Sequence, residues 1–215
     1  MKLRVVCLLT TTLAATGCGS LLDSKLAAPQ SYVLRLPARE ASTPANNQPA
    51  GSVLLQRPKA GPGLDSDRIV LLRSDSRFDF YAASRWAAPA PDMLASFIAD
   101  GLRASGSFAA VFDDTAPYAP RYNLRCTLRR FESDYTTSQK SGGGGAPTVF
   151  VAFDCTLGRH RDRELLSSFT AQGSAVAAAD RLNDVVAAFE TASTLAVSEL
   201  EKQATAAVAN ESRDP

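Results

Sequence analysis

The chain has 215 residues, 23 Lys and Arg against 22 Asp and Glu, a single His, and 45% hydrophobic residues. That is too apolar for a disordered segment, and its balanced charge shows neither the basic excess nor the basic runs interleaved with aromatics of a nucleic-acid surface. It is long enough for one domain with a core of its own.

Met1-Lys2-Leu3-Arg4 opens a run that stays apolar and hydroxylic from Val5 to Thr16, the order of a secretory signal. The run is shorter than the roughly 20 apolar residues a bilayer span needs, and Thr10 to Thr12 weaken it further as a span. It ends in Ala15-Thr16-Gly17-Cys18, small residues before a cysteine, and so resembles a bacterial lipobox. Residues 1–17 are therefore expected to be a cleaved lipoprotein signal peptide, with Cys18 the lipid attachment site and 18–30 a tether. An ordinary signal peptide with an incidental cysteine is the alternative. Several acyl chains on Cys18 would hold the domain at a membrane without a transmembrane helix, at about 0.8 kcal/mol per buried methylene. In Gram-negative lipoproteins an aspartate directly after the cysteine commonly retains the protein at the inner membrane. Gly19 and Ser20 stand there instead, and the first aspartate is Asp23. The expected location is thus the outer membrane, facing the periplasm. Cleavage would remove Lys2 and Arg4, leaving 21 basic against 22 acidic residues.

After the tether, Tyr32, Leu34 and Leu36 alternate as a short strand, and a Pro- and Asn-rich connection follows. Segments 52–58, 68–74 and 77–88 are three further strands, with 59–67 as loop. Between Pro91 and Gly106 the spacing changes to helical, with Leu94, Phe97, Ile98 and Leu102 as an apolar stripe. A short strand at 109–114 follows, then two long alternating strands, one through Tyr122, Leu124, Cys126 and Leu128, the other through Val149, Val151, Phe153, Cys155 and Leu157. Segment 164–177 is a last strand. A helix from about Asp180 carries Leu182, Val185, Val186 and Phe189 inward, and its tail is expected to fray. The domain is expected over 31–205 and a frayed tail over 206–215. Strands that predominate around two helices predict an α+β fold, a single domain with a mainly antiparallel or mixed sheet packed by two helices.

If the two long strands form a hairpin centred between Lys140 and Ser141, Cys126 faces Cys155. A disulfide closing that loop would stabilise by roughly 3–4 kcal/mol; two buried thiols packing as small hydrophobes is the alternative.

Chemistry is sparse. His160 lies in a charged turn, no Cys/His spacing matches a zinc site, and the Ser-Gly-Gly-Gly-Gly stretch from Ser141 lacks the Lys of a phosphate-binding loop. Asp113, Asp114, Glu132 and Asp134 lie at strand ends, where solvated carboxylates are ordinary. Ser167 and Ser168 lack a nucleophile elbow. No catalytic residue, metal ligand or cofactor is assigned, and the expectation is a protein that is not an enzyme.

Residues 64–107 carry a resemblance. Leu64, Asp67, Ile69, Val70, Arg73, Tyr81, Arg85, Trp86 and Ala87, with the earlier Tyr32-Val33-Leu34 and the later Tyr122, Leu124 and Phe131, resemble the PqiC-like family of ABC-type transport auxiliary lipoproteins. The glycines at 142–145 and Arg68, where glutamine is more usual, depart from its pattern. The resemblance implies a non-catalytic component of a lipid-trafficking system. Its implied partners are an MCE-domain protein and, through it, an inner-membrane permease and ATPase. Phospholipid contact and homo-oligomerisation stay open. Arg73, Arg85 and Trp86 are the candidate partner interface, Arg and Trp being common anchors. The competing reading makes Trp86 core and pairs the arginines with Asp75 or Asp79. For the whole protein, a structural envelope lipoprotein is the alternative to a transport component, and a periplasmic hydrolase around His160 is a distant third.

Overall fold

The computed structural model describes residues 28–36, 49–73, 76–136 and 145–211. The signal peptide, Cys18 and the tether up to residue 27, Asp75, Gly142 to Gly144, and the last four residues lie outside these.

The sheet is organised around its longest strand. β1 (Gln30–Tyr32), β2 (Val53–Leu55), β3 (Lys59–Ala60), β4 (Arg68–Leu72) and β5 (Phe78–Trp86) precede helix α1 (Ala90–Ser105). β6 (Val111–Phe112), β7 (Tyr122–Asp134), β8 (Thr148–Arg159), β9 (Leu165–Val176) and helix α2 (Leu182–Glu211) complete the chain. β8 pairs antiparallel with β7 along its whole length and β9 pairs antiparallel with β8. The other edge of β7 is met in three pieces: β2 at Tyr122–Leu124, β3 at Thr127 and Leu128, and β4 at Ser133 and Asp134, all parallel. β6 extends β2, and β5 and then β1 extend β4. This is an α+β fold, with a mixed sheet of nine strands among the described residues.

One face of the sheet is covered. Tyr122, Leu124, Leu128, Val149, Val151, Phe153 and Leu157 point inward and are fully buried. Opposite them, Arg125, Arg129, Asp154, Thr156, Ser168, Thr170 and Gln172 are exposed, the half-solvated pattern antiparallel sheets allow. A bulge between Leu128 and Arg130 shifts the phase, so that Phe131 is the next large inward residue. The stripe Leu94, Phe97, Ile98 and Leu102 of α1 is buried, and Gly106 ends the helix in the left-handed region at φ 68°. α2 lies on β9 and β8 and against α1, and one glycine at each of these two contacts sets how closely. A Cβ at Gly173 would stand 2.2 Å from the Ala192 carbonyl oxygen, and one at Gly101 would stand 2.5 Å from Val197 Cγ1.

Three elements differ from the sequence reading. Only Gln30–Tyr32 of the first segment pairs as strand, although Leu34 and Leu36 still pack against the core. Lys59 and Ala60, expected in a loop, form β3. The helix does not fray beyond Ala204 but runs past residue 206 to Glu211, because Val208 is buried and Glu211 is tied to Tyr122 and Arg159.

Cys126 lies opposite Cys155 in the ladder, and the two form a disulfide with Sγ atoms 2.07 Å apart. We expect reduction, or Cys126→Ser with Cys155→Ser, to lower unfolding free energy by about 2–4 kcal/mol, read from chemical denaturation with and without reductant. Gly173→Val is expected to cost at least about 1–3 kcal/mol by overpacking, read the same way.

Candidate functional site

The stretch that carries the family resemblance folds into a seam between β5 and α1. Leu64 is buried at 3% exposure. Behind it the loop supplies backbone acceptors: Trp86 N donates to Asp67 O (2.7 Å) and Ala90 N donates to Ser66 O (2.9 Å). Arg57 fastens the same seam, pairing with Asp65 at 3.0 Å and with Asp92 in the first turn of α1. Its guanidinium holds the Asp92 carboxyl below the ordinary range. Arg68, the departure from the family pattern, stacks 4.4 Å over Phe80, a cation–π contact.

Trp86 is 0% exposed and belongs to the core. Its ring sits 5.4 Å from Phe131 and 5.1 Å, edge-on, from Phe189, and those two rings are 4.8 Å apart. β5, β7 and α2 are thereby joined by one aromatic cluster of the geometry such rings prefer. Full burial removes Trp86 from any interface this chain offers as folded. Arg73 and Arg85 remain at the surface but apart. Arg73 follows β4 and donates to Asp79 at 2.9 Å; Asp79 is held below the ordinary carboxylate value by the Phe80 N–H and then by Arg73. Arg85 lies near the other end of β5, 3.7 Å from Asp67 and 3.4 Å from Ser31 Oγ. The three residues do not form one patch.

Two polar networks close the ends of the sheet. At the β4–β5 end, Tyr135 donates to Asp180 at 2.6 Å, and its hydroxyl lies 2.9 Å from that of Tyr81, which in turn lies 3.0 Å from Ser133 Oγ. Burial and the hydrogen bond to Asp180 raise the Tyr135 phenol. At the β8–β9 end, Glu211 accepts from Tyr122 Oη at 2.7 Å and from Arg159 Nε at 2.6 Å. Tyr122 is pushed up to about 12, by burial and then by Glu211. Burial opposes ionisation of Glu211, but Tyr122, Arg159 and Arg121 outweigh it and hold its carboxyl below the ordinary 4.5.

Glu132 was expected to be a solvated strand-end carboxylate. It is 3% exposed, paired with Arg130 Nε at 2.6 Å and accepting from Phe131 N at 2.7 Å. Burial still raises its carboxyl. Asp113 and Asp114 are exposed. His160 stands in the β8–β9 turn, with Nδ1 3.1 Å from Asn123 Nδ2. Among the described residues no group of three His, Cys, Asp or Glu is placed to hold a metal, and no helix is long and apolar enough to cross a membrane.

Comparison with known proteins follows this geometry. The model for the family described as ABC-type transport auxiliary lipoprotein component matches residues 32–201. Protein XCC0632 from Xanthomonas campestris, a solved structure of family DUF330, is 27% identical, with a TM-score of 0.67 over 86% of this chain and 97% of that one. A second solved structure, described as an uncharacterized protein, is 14% identical, with a TM-score of 0.54 over 87% of this chain and 99% of that one. No curated protein matches the chain.

Glu211 gives a pH test. Its folded value lies below the unfolded one, so its contribution is complete above about 4.5 and is lost as pH falls through the folded value. Glu211→Gln should cost about 1–3 kcal/mol at pH 7 and close most of that gap at low pH, measured by denaturation at a series of pH values.

Proposed function

The chain belongs to the ABC-type transport auxiliary lipoprotein component family, and from that premise we propose that it is a non-catalytic part of an MCE/ABC-type intermembrane lipid transport system. In this reading Cys18 carries the lipid anchor, the domain faces the periplasm from the outer membrane, and it docks the periplasmic MCE assembly. The observation that carries it is the family match over 32–201, downstream of the Ala15-Thr16-Gly17-Cys18 pattern. The fold supports it through its polarity. β1 runs parallel to β5, which is antiparallel to β4, and β4 is parallel to β7. β1 therefore runs away from the β4–β5 end of the sheet, and the β8–β9 turn lies at the other end. A strand of 13 residues such as β7 spans about 43 Å, so a domain anchored at Cys18 can present one end toward its membrane and the other toward a partner. Arg73 and Arg85, both exposed enough to be reached, are retained as candidate contacts; ATP hydrolysis belongs to a partner.

Crosslinking in native envelopes, with a tag at the C-terminus and mass spectrometry as readout, is expected to recover an MCE-domain protein. Recovery of only cell-wall or outer-membrane structural proteins would replace this reading with that of a structural envelope lipoprotein. Cys18→Ala is expected to move the protein out of the outer-membrane fraction of a density gradient; an unchanged distribution would remove the anchor.

A further inference from the structure

The exposed face of the sheet is not uniform. At the β8–β9 end it is hollowed into a groove of about 760 Å³, within the range of small-ligand sites. Its floor is Asn123 and Arg125 of β7 with Thr156 and Gly158 of β8, and its walls are β2 and the turn that follows β8. Four arginines line it, Arg125, Arg159, Arg161 and Arg163, against one carboxylate, Glu164.

The charges are unevenly spent. Arg159 donates to Asp162 at 2.7 Å, to Glu164 at 2.9 Å and to Glu211 at 2.6 Å, so the acidic groups of this end converge on one guanidinium. Arg161 has a side chain 85% exposed and only a 3.9 Å approach to Asp162. The side chains of Arg125 and Arg163 have no hydrogen bond or ion pair with any described residue. Arg163 is also held at φ 60° in the turn, a conformation that non-glycine residues adopt rarely. Beside these cations the groove includes Leu54 and Leu165, and Leu165 is 62% exposed. Unpaired guanidinium forks match phosphate oxygens, and the neighbouring leucines suit the first methylenes of an acyl chain.

We infer that this groove binds the phosphate headgroup of an anionic phospholipid, with Arg125 and Arg163 as the principal contacts and Leu165 against the lipid's apolar portion. The choice of ligand rests on the transport reading above. The groove lies at the end of the sheet away from the chain's entry at β1, so it receives lipid from the partner's side. Inorganic phosphate would satisfy the arginines alone, and an acidic protein surface would satisfy the charge but not the concave, leucine-flanked shape.

The full-length protein in nonionic detergent would be titrated with dihexanoylphosphatidylglycerol, with sodium phosphate and with a poly-glutamate peptide, and retention read by native mass spectrometry. The expected result is saturable retention of the lipid that weakens by about tenfold or more in Arg125→Gln/Arg163→Gly, the scale of one or two charge-assisted hydrogen bonds. Lys202→Gln, a distant exposed cation, should leave retention unchanged, and both variants should keep the wild-type melting temperature. Equal retention by the double variant, or none by the wild type, overturns the site. Phosphate bound as tightly as the lipid overturns the lipid as its source. Preference for poly-glutamate replaces it with an acidic protein surface. None of these readouts needs the MCE partner: lipid retention without partner recovery sinks only the docking, and partner recovery without retention sinks only the groove.

Discussion

The constraint on which this fold depends is that β7 has two long edges to satisfy. Every buried backbone N–H and C=O needs a partner, and a strand of 13 residues in the middle of a sheet presents a row of them on each side. β8 meets one edge through a single antiparallel hairpin, locked where Cys126 faces Cys155. The other edge is met by β2, β3 and β4, which run in sequence order along it and all in the same direction. Parallel neighbours cannot be joined by a tight turn, yet these three are consecutive pieces of one advancing chain, so short kinks at Pro58 and at 61–67 suffice. Gly61 N donates to Leu128 O at 2.9 Å and Gln56 N to Leu124 O at 3.1 Å, carrying the pairing across the breaks.

That arrangement explains what the family-like stretch does. Once β4 is fixed beside Ser133 and Asp134, β5 must turn back on it and deliver Trp86 into the space between β7 and α2. The Leu64–Asp67 loop receives the end of β5 and the start of α1 through two backbone hydrogen bonds, and Arg57 clamps the loop to the helix. The most recognisable residues of the chain are thus mainly packing residues. Their presence identifies the fold, while the chemistry available to a partner or ligand lies on surfaces they support: the open face of the sheet and its two ends.

Legibility in the sequence followed period and length. β7 and β8 alternate cleanly for long enough that their faces, and the opposition of the two cysteines, could be worked out from symmetry about the loop. The stripe of α1 was equally clear. β3 was invisible because two residues between Pro58 and Gly61 carry no period, and only a distant strand makes them one. The end of α2 is not legible because an Ala-rich stretch after Ala204 shows little apolar periodicity; its helix is held by Val208 and by the long-range bonds of Glu211. Glu132 reads as solvated from its place near a strand end; its burial is accompanied by Arg130 and the Phe131 N–H as partners, which no spacing in the sequence shows. Arg73, Arg85 and Trp86 are close in sequence, but a strand carries neighbours to opposite faces and distant residues to opposite ends, so proximity along the chain did not make a patch.

The two ends of the sheet differ in a way that bears on orientation. At the β4–β5 end the polar groups are three hydroxyls in series, Ser133, Tyr81 and Tyr135, ending on the Asp180 carboxylate, which close the mouth between strand and helix by hydrogen bonding. At the β8–β9 end the closure is ionic, and three carboxylates converge on Arg159 while the side chains of Arg125 and Arg163 have no partner among the described residues. Beyond the pair with the largely buried Glu211, the two further pairs of Arg159, with Asp162 and Glu164, gain little stability, since exposed ion pairs contribute about 0–1 kcal/mol each. What the arrangement does is tie the turn to α2 through Arg159 and leave the remaining cations on the open face. A turn tied in this way that presents charge in a groove, at the end opposite the β4–β5 turn, is a feature suited to recognition more than to folding.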